Sequence, residues 1–129
     1  MTTSSPLGTS KIATFIATRD RAKAKAFYQD TLGLSFVSED QFATVFDIGG
    51  IRLRVTPVKE IALAPYTVLG WDVADIAKTV AALSKAGVKF EQYGLPGQEP
   101  SGIWTAPGSS AKVAWFKDPD GNLLSLAQH

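Results

Sequence analysis

The residues that most constrain the chemistry of this 129-residue chain are the ones it lacks. It has no cysteine and a single histidine, His129, at the end of the sequence. The first absence excludes disulfides, zinc–thiolate sites, iron–sulfur clusters and cysteine nucleophiles. The second excludes an internal Ser–His–Asp or Cys–His set. Asp118 and Asp120 have the look of an acid pair, but they sit in an Asp-Pro-Asp-Gly run. Carboxylates in such a turn accept local backbone hydrogen bonds, and a structural role is expected for both. Gly49-Gly50 and Gly94-Leu-Pro-Gly97 are not phosphate loops: neither leads into Lys-Ser/Thr or opens a helix. The tyrosines can donate protons, yet nothing in the sequence sets a base beside them. Arg19, Arg21, Lys23 and Lys25 alternate around a helix start and read as a solvated face.

The elements that must position these residues come in two similar runs. Residues 11–18 alternate as a strand, with Ile12 and Ile16 on one face and Ala13, Phe15 and Ala17 on the other. Asp20 is suited to cap a helix that carries Ala24, Phe27, Tyr28 and Thr31, and Gly33 to end it. Strands are expected near 34–38, 41–48 and 51–58, with Gly49-Gly50 as the last turn. The pattern then repeats. Residues 66–73 predict a strand, Asp75 caps a helix with Ile76, Val80 and Leu83, and Gly87 closes it. Strands follow near 88–92, 111–117 and 122–127, the last pair joined by the Asp118–Gly121 turn.

Asp20 and Asp75 stand 55 residues apart, Gly33 and Gly87 54, and Gly50 and Gly121 71, so about 17 residues are inserted in the second half. The insertion falls between Phe90 and Trp115, where the irregular residues 92–110 hold four Gly, three Pro and Trp104, with no period. A long loop of this kind is either a ligand lid or a surface excursion whose tryptophan covers a core edge. Each half is βαβββ, with modules at about 11–58 and 66–128 joined by a Pro57–Pro65 linker. Together they predict one α+β domain over residues 11–128, preceded by a disordered leader at 1–10. Charged residues are 19% of the chain and the net charge is +1, which excludes a strongly basic nucleic-acid binder. No apolar stretch is long enough to span a membrane, and a cytoplasmic protein without nucleic-acid or membrane partners is expected.

The run Phe116-Lys-Asp-Pro-Asp-Gly-Asn-Leu-Leu-Ser-Leu126 resembles the closing hairpin of the vicinal oxygen chelate superfamily, which includes glyoxalase I, bleomycin resistance proteins and extradiol dioxygenases. Asp20, Phe27-Tyr28 and Leu32-Gly33 resemble that group's first helix, and the paired modules extend the likeness over about 11–128. The resemblance implies a cupped, mostly antiparallel mixed sheet from each pair of βαβββ modules. In the superfamily's metal enzymes the ligands stand seven residues before each helix-opening Asp and four residues after each hairpin Gly. Here those positions hold Ala13, Val68, Arg54 and Ser125. None is a usual ligand for a divalent cation, and Arg54 would repel one. The resemblance is therefore to members without metal, and no cofactor is expected.

What remains is an apolar, aromatic cup. Alternation places Ala13 and Phe15 inward in the first half, Val68 and Asp72 in the second, and Val113 and Trp115 on the hairpin, with Phe116 under the helices. Tyr93 and Trp104 come from the long loop. Flat aromatic walls above Arg54 suit a planar ligand with one anionic group. Arg54 would otherwise reach solvent or pair with Asp72. Two functions are compatible with these residues. One is a homodimeric protein that binds a small, partly aromatic molecule, as the resemblance to bleomycin resistance proteins implies. The other is a lyase, isomerase or dioxygenase of the same superfamily, with an atypical metal site or a metal-free mechanism using Tyr, Asp72 or Ser125.

Overall fold

The computed structural model describes residues 5–129. Of the leader, residues 1–4 lie outside the described residues, and 5–10 are exposed and turn on themselves, with Gly8 N–H donating to Ser5 O at 3.1 Å. The first module is β1 (Ala13–Thr18), α1 (Arg21–Ala26), a π-helical turn (Phe27–Thr31), β2 (Ser35–Glu39), β3 (Thr44–Ile48) and β4 (Ile51–Pro57). The second is β5 (Leu69–Asp72), α2 (Ile76–Lys85), β6 (Trp104–Thr105), β7 (Lys112–Lys117) and β8 (Leu123–Gln128). Each helix begins as its sequence requires. The Asp20 carboxylate accepts from Lys23 N–H and the Asp75 carboxylate from Lys78 N–H, both at 3.1 Å.

The modules form two four-stranded sheets in the orders β1-β4-β3-β2 and β5-β8-β7-β6. In each, the first strand runs parallel to the last, and the other neighbours are antiparallel. Phe15 stands opposite Arg54 and Gly70 opposite Ser125. These pairs are related by the 55- and 71-residue offsets of the sequence repeat, so the repeat extends to strand register. Gly49 and Gly50 both have positive φ, 55° and 89°, which lets a two-residue turn join β3 to β4.

The expected strand at 88–92 shrinks to one bridge, Phe90 opposite Phe116, and one bond from Glu91 N–H to Trp115 O at 2.8 Å. The rest of the β7 edge, at Lys112 and Val113, pairs with Thr105 and Trp104. The sheet edge is taken instead by β6, which arises inside the long irregular segment.

One core serves both modules. Phe46, Leu53 and Val55 of the first sheet and Ala114, Phe116 and Leu124 of the second belong to the same buried cluster as Tyr28, Ile76 and Val80 of the helical segments. Phe27 lies 6.5 Å from Phe116, ring centre to ring centre. The Asp118–Gly121 turn fastens the modules together. Buried Asp118 accepts from Tyr28 O–H (2.6 Å), Asn122 Nδ2–H (2.9 Å), Asn122 N–H (2.9 Å) and Asp120 N–H (3.0 Å). Asp120 accepts from Thr18 O–H at 2.6 Å and Arg19 N–H at 2.9 Å, and Asn122 donates to Ala17 O at 2.9 Å. Both acids therefore hold the fold together.

Candidate functional site

Strand alternation decides which side chains line the open faces. On β1, Ile16 and Thr18 are buried while Ala13 and Phe15 are exposed. On β4, Leu53 and Val55 face the core, so Arg52 and Arg54 point the other way. On β7, Ala114 and Phe116 are buried and Val113 and Trp115 only half-buried. On β8, Leu124 and Leu126 are buried, which leaves Ser125 on the face shared with Trp115, its partner across the ladder. Because both helix-covered faces meet in one core, the two open faces are directed away from it.

The expected site residues accordingly fall into two groups. Ala13, Phe15 and Arg54 share the open face of the first sheet. Phe15 is 64% exposed, a large cost for an aromatic ring left in water. Arg54 is half-buried between Phe15 and Val45 and has no ion pair among the described residues. The Asp40 carboxyl is held below its ordinary range by the N–H groups of Phe42 and Ala43, with a smaller contribution from the Arg54 charge. Asp72 is not Arg54's partner. Its carboxylate lies 3.6 Å from His129 Nε2, and both groups are well exposed.

Val68, Tyr93, Trp104, Trp115 and Ser125 belong to the second sheet and its loop. Val68, just ahead of β5, donates its N–H to Leu123 O at 2.9 Å. Tyr93 meets Trp115 edge to face at 5.4 Å, and Trp104 lies 6.1 Å from Trp115. Trp104 is anchored twice, by pairing with Val113 and by its indole N–H, which donates to Pro96 O at 3.2 Å. The loop beside it is clamped by Gln98. Its amide N–H groups donate to Glu91 O (3.0 Å) and Gly102 O (2.9 Å), and its Oε1 accepts from Tyr93 N–H (3.0 Å).

A groove of about 640 Å³ runs along this second face. Tyr93, Trp115 and Lys117 line it together with Leu63 of the linker and Tyr66, which stands ahead of β5. Of the expected site residues only Tyr93 and Trp115 line it; Val68, Asp72, Trp104 and Ser125 of the second module do not, nor do Ala13, Phe15 and Arg54 of the first. Lys117 Nζ is 3.3 Å from Glu91 Oε1. Burial, then the Glu91 charge, pushes the Tyr93 phenol above its ordinary value, so its hydroxyl remains a hydrogen-bond donor at neutral pH. Lys117 was within reach of sequence reasoning, since it lies two residues beyond Trp115 on an alternating strand. Tyr66 was within reach too, two residues before Val68 on the expected strand 66–73, whereas Leu63 carries no such signal, because a linker has no period.

The positions that the resemblance assigns to metal ligands lie on the two open faces, but their chemistry does not fit a divalent cation. A methyl, an isopropyl group, a guanidinium and a lone hydroxyl supply neither imidazole nor carboxylate. Among the described residues no group of three or more His, Cys, Asp or Glu comes together elsewhere.

Residues 11–126 match the family described as the Glyoxalase/Bleomycin resistance protein/Dioxygenase superfamily. The chain is 29% identical over 122 residues to an uncharacterized Bacillus subtilis protein, YraH, an alignment covering 83% of this chain and 88% of that one. It is similar in fold to the fosfomycin resistance protein FosX of Listeria monocytogenes, at a TM-score of 0.74 and 13% identity, over 94% of this chain and 93% of the other. It is likewise similar to a lactoylglutathione lyase from Agrobacterium tumefaciens, at a TM-score of 0.71 and 16% identity, over 93% of each. The family match over nearly the whole domain, the paired βαβββ modules and the hairpin built on Asp118 establish that the chain belongs to the Glyoxalase/Bleomycin resistance protein/Dioxygenase superfamily.

Proposed function

We propose that this protein holds a small, partly aromatic molecule in an apolar cup without the help of a metal. The observation that carries the reading is the groove walled by Tyr66, Tyr93 and Trp115. Its volume, about 640 Å³, is that of a site for a drug-sized molecule. Broad aromatic faces with polar tips favour planar ligands. The donor-poor set Ala13, Arg54, Val68 and Ser125 leaves recognition to stacking and hydrogen bonding.

The cup needs a second wall, and a second copy of the chain is its proposed source. In a homodimer the face carrying Phe15 and Arg54 of one protomer would cover the Trp115 groove of its partner. That arrangement removes exposed Phe15 from water and brings Arg54, which has no ion pair among the described residues, to the ligand. Arg54 then selects ligands with one carboxylate or phosphate.

The test is a tryptophan-fluorescence titration with an aromatic carboxylate and its neutral amide. The carboxylate should quench more strongly and bind more tightly, and Trp115→Ala should weaken binding at least tenfold. Equal affinities in wild type and Trp115→Ala would remove the groove from consideration. The competing reading, a lyase, isomerase or dioxygenase, gains the advantage if the purified protein retains one transition metal per chain through dialysis.

A further inference from the structure

We propose that the protein carries a second small-molecule site, at the seam between its modules, which takes a neutral apolar molecule the size of one six-membered ring. A cavity of about 130 Å³ opens there, on the opposite side of β5 from the Trp115 groove. Leu32 and Leu34, which follow the π-helical turn, form one wall, and Trp71, Leu83 and Phe116 of the second module form the other. The cavity exists only where the two modules dock.

Its chemistry is uniform. Trp71 and Phe116 lie nearly parallel, 6.3 Å apart and inclined by 20°, and present flat aromatic surface. The one hydroxyl in the lining, on Thr79, donates to Asp75 O at 2.9 Å within its own helix. Besides that hydroxyl the lining side chains carry one polar group, the Trp71 indole N–H, so a water molecule finds at most two side-chain partners, the bottom of the two-to-four range that retains one. Apolar cavities of roughly 150 Å³ lined by Leu, Ile and Phe stay dry and take up benzene or xenon. The seam has nearly that volume and that lining. It also has an entrance, because Leu32, Leu34, Trp71 and Leu83 are all only half-buried.

Anything bound there touches both modules and disappears as a ligand when they separate, so binding must raise the unfolding temperature. The experiment compares thermal unfolding with and without saturating benzene in wild type, in Leu83→Phe, which fills the seam, and in Trp115→Ala, which alters the groove. Benzene should raise Tm by several degrees in wild type and in Trp115→Ala, and the rise should vanish in Leu83→Phe. Xenon-pressurised crystals of the wild type should show a peak between Trp71 and Leu34. No rise in wild type overturns the proposal, as does a rise kept by Leu83→Phe and lost in Trp115→Ala. If Leu83→Phe does not fold, the xenon peak decides: a peak in the seam supports the site, and its absence, or a peak only against Trp115, refutes it.

Discussion

Two charged or polar side chains do opposite work in this molecule. Asp118 is buried and satisfied by four donors, one of them the Tyr28 hydroxyl from the other module. Burial and the Asp118 charge push the Tyr28 phenol far above its ordinary 10.0. A raised folded-state value means that this stabilisation is complete below about pH 10 and is lost as pH climbs beyond it, because the unfolded phenol ionises first. Tyr28→Phe should therefore destabilise the protein at neutral pH by about 1.5–3 kcal/mol, the worth of a hydrogen bond to a charged group. It should also flatten the loss of stability above pH 10, as read from urea unfolding across pH. Arg54, by contrast, is half-buried and has no ion pair among the described residues. Arg54→Met should leave Tm nearly unchanged and abolish any preference for anionic over neutral aromatic compounds in a thermal-shift screen. The turn role of Asp118 is legible in the Asp-Pro-Asp-Gly run, and the inward aim of Trp115 follows from alternation. That Tyr28 reaches Asp118 across 90 positions has no local sign.

At the scale of elements, the long insertion in the second module is organised rather than loose. Gln98 ties three backbone groups of the segment, and Trp104 is held in β6. Gln98→Ala should speed amide exchange at Tyr93 and Ile103 by an order of magnitude or more, while α2 and β8 keep their protection. If the segment covers a bound ligand, Trp104→Ala should weaken binding by about 1–3 kcal/mol in the fluorescence titration, as expected of an aromatic hot spot. Unchanged affinity would make the segment a surface excursion. Helix starts were readable because a cap is a local device: Asp20 and Asp75 act within three residues of themselves. The two-residue β6 was not readable, since so short a strand shows no period. Nor was the shortening of the 88–92 strand, which depends on where the chain goes after Gln92.

The whole molecule presents two open faces around one shared core, and its sequence repeat extends to the register of the strands. The repeat revealed two modules. It was silent on which faces meet, because that is set by contacts such as Phe27 with Phe116 between distant segments. Pairing of two copies is the proposed consequence of those open faces. Sedimentation should give a dimer at micromolar concentration, and Phe15→Asp, which puts a charge on the exposed face, should give a folded monomer. A wild-type monomer at high concentration would leave the cup with a single wall.

Metal-free binding of aromatic ligands is tested most directly by a calorimetric titration of exhaustively chelated protein with an aromatic carboxylate. Saturable binding that is unchanged on adding zinc, nickel, manganese or iron(II) is the predicted result. Binding that appears only when one of those metals is restored would contradict it.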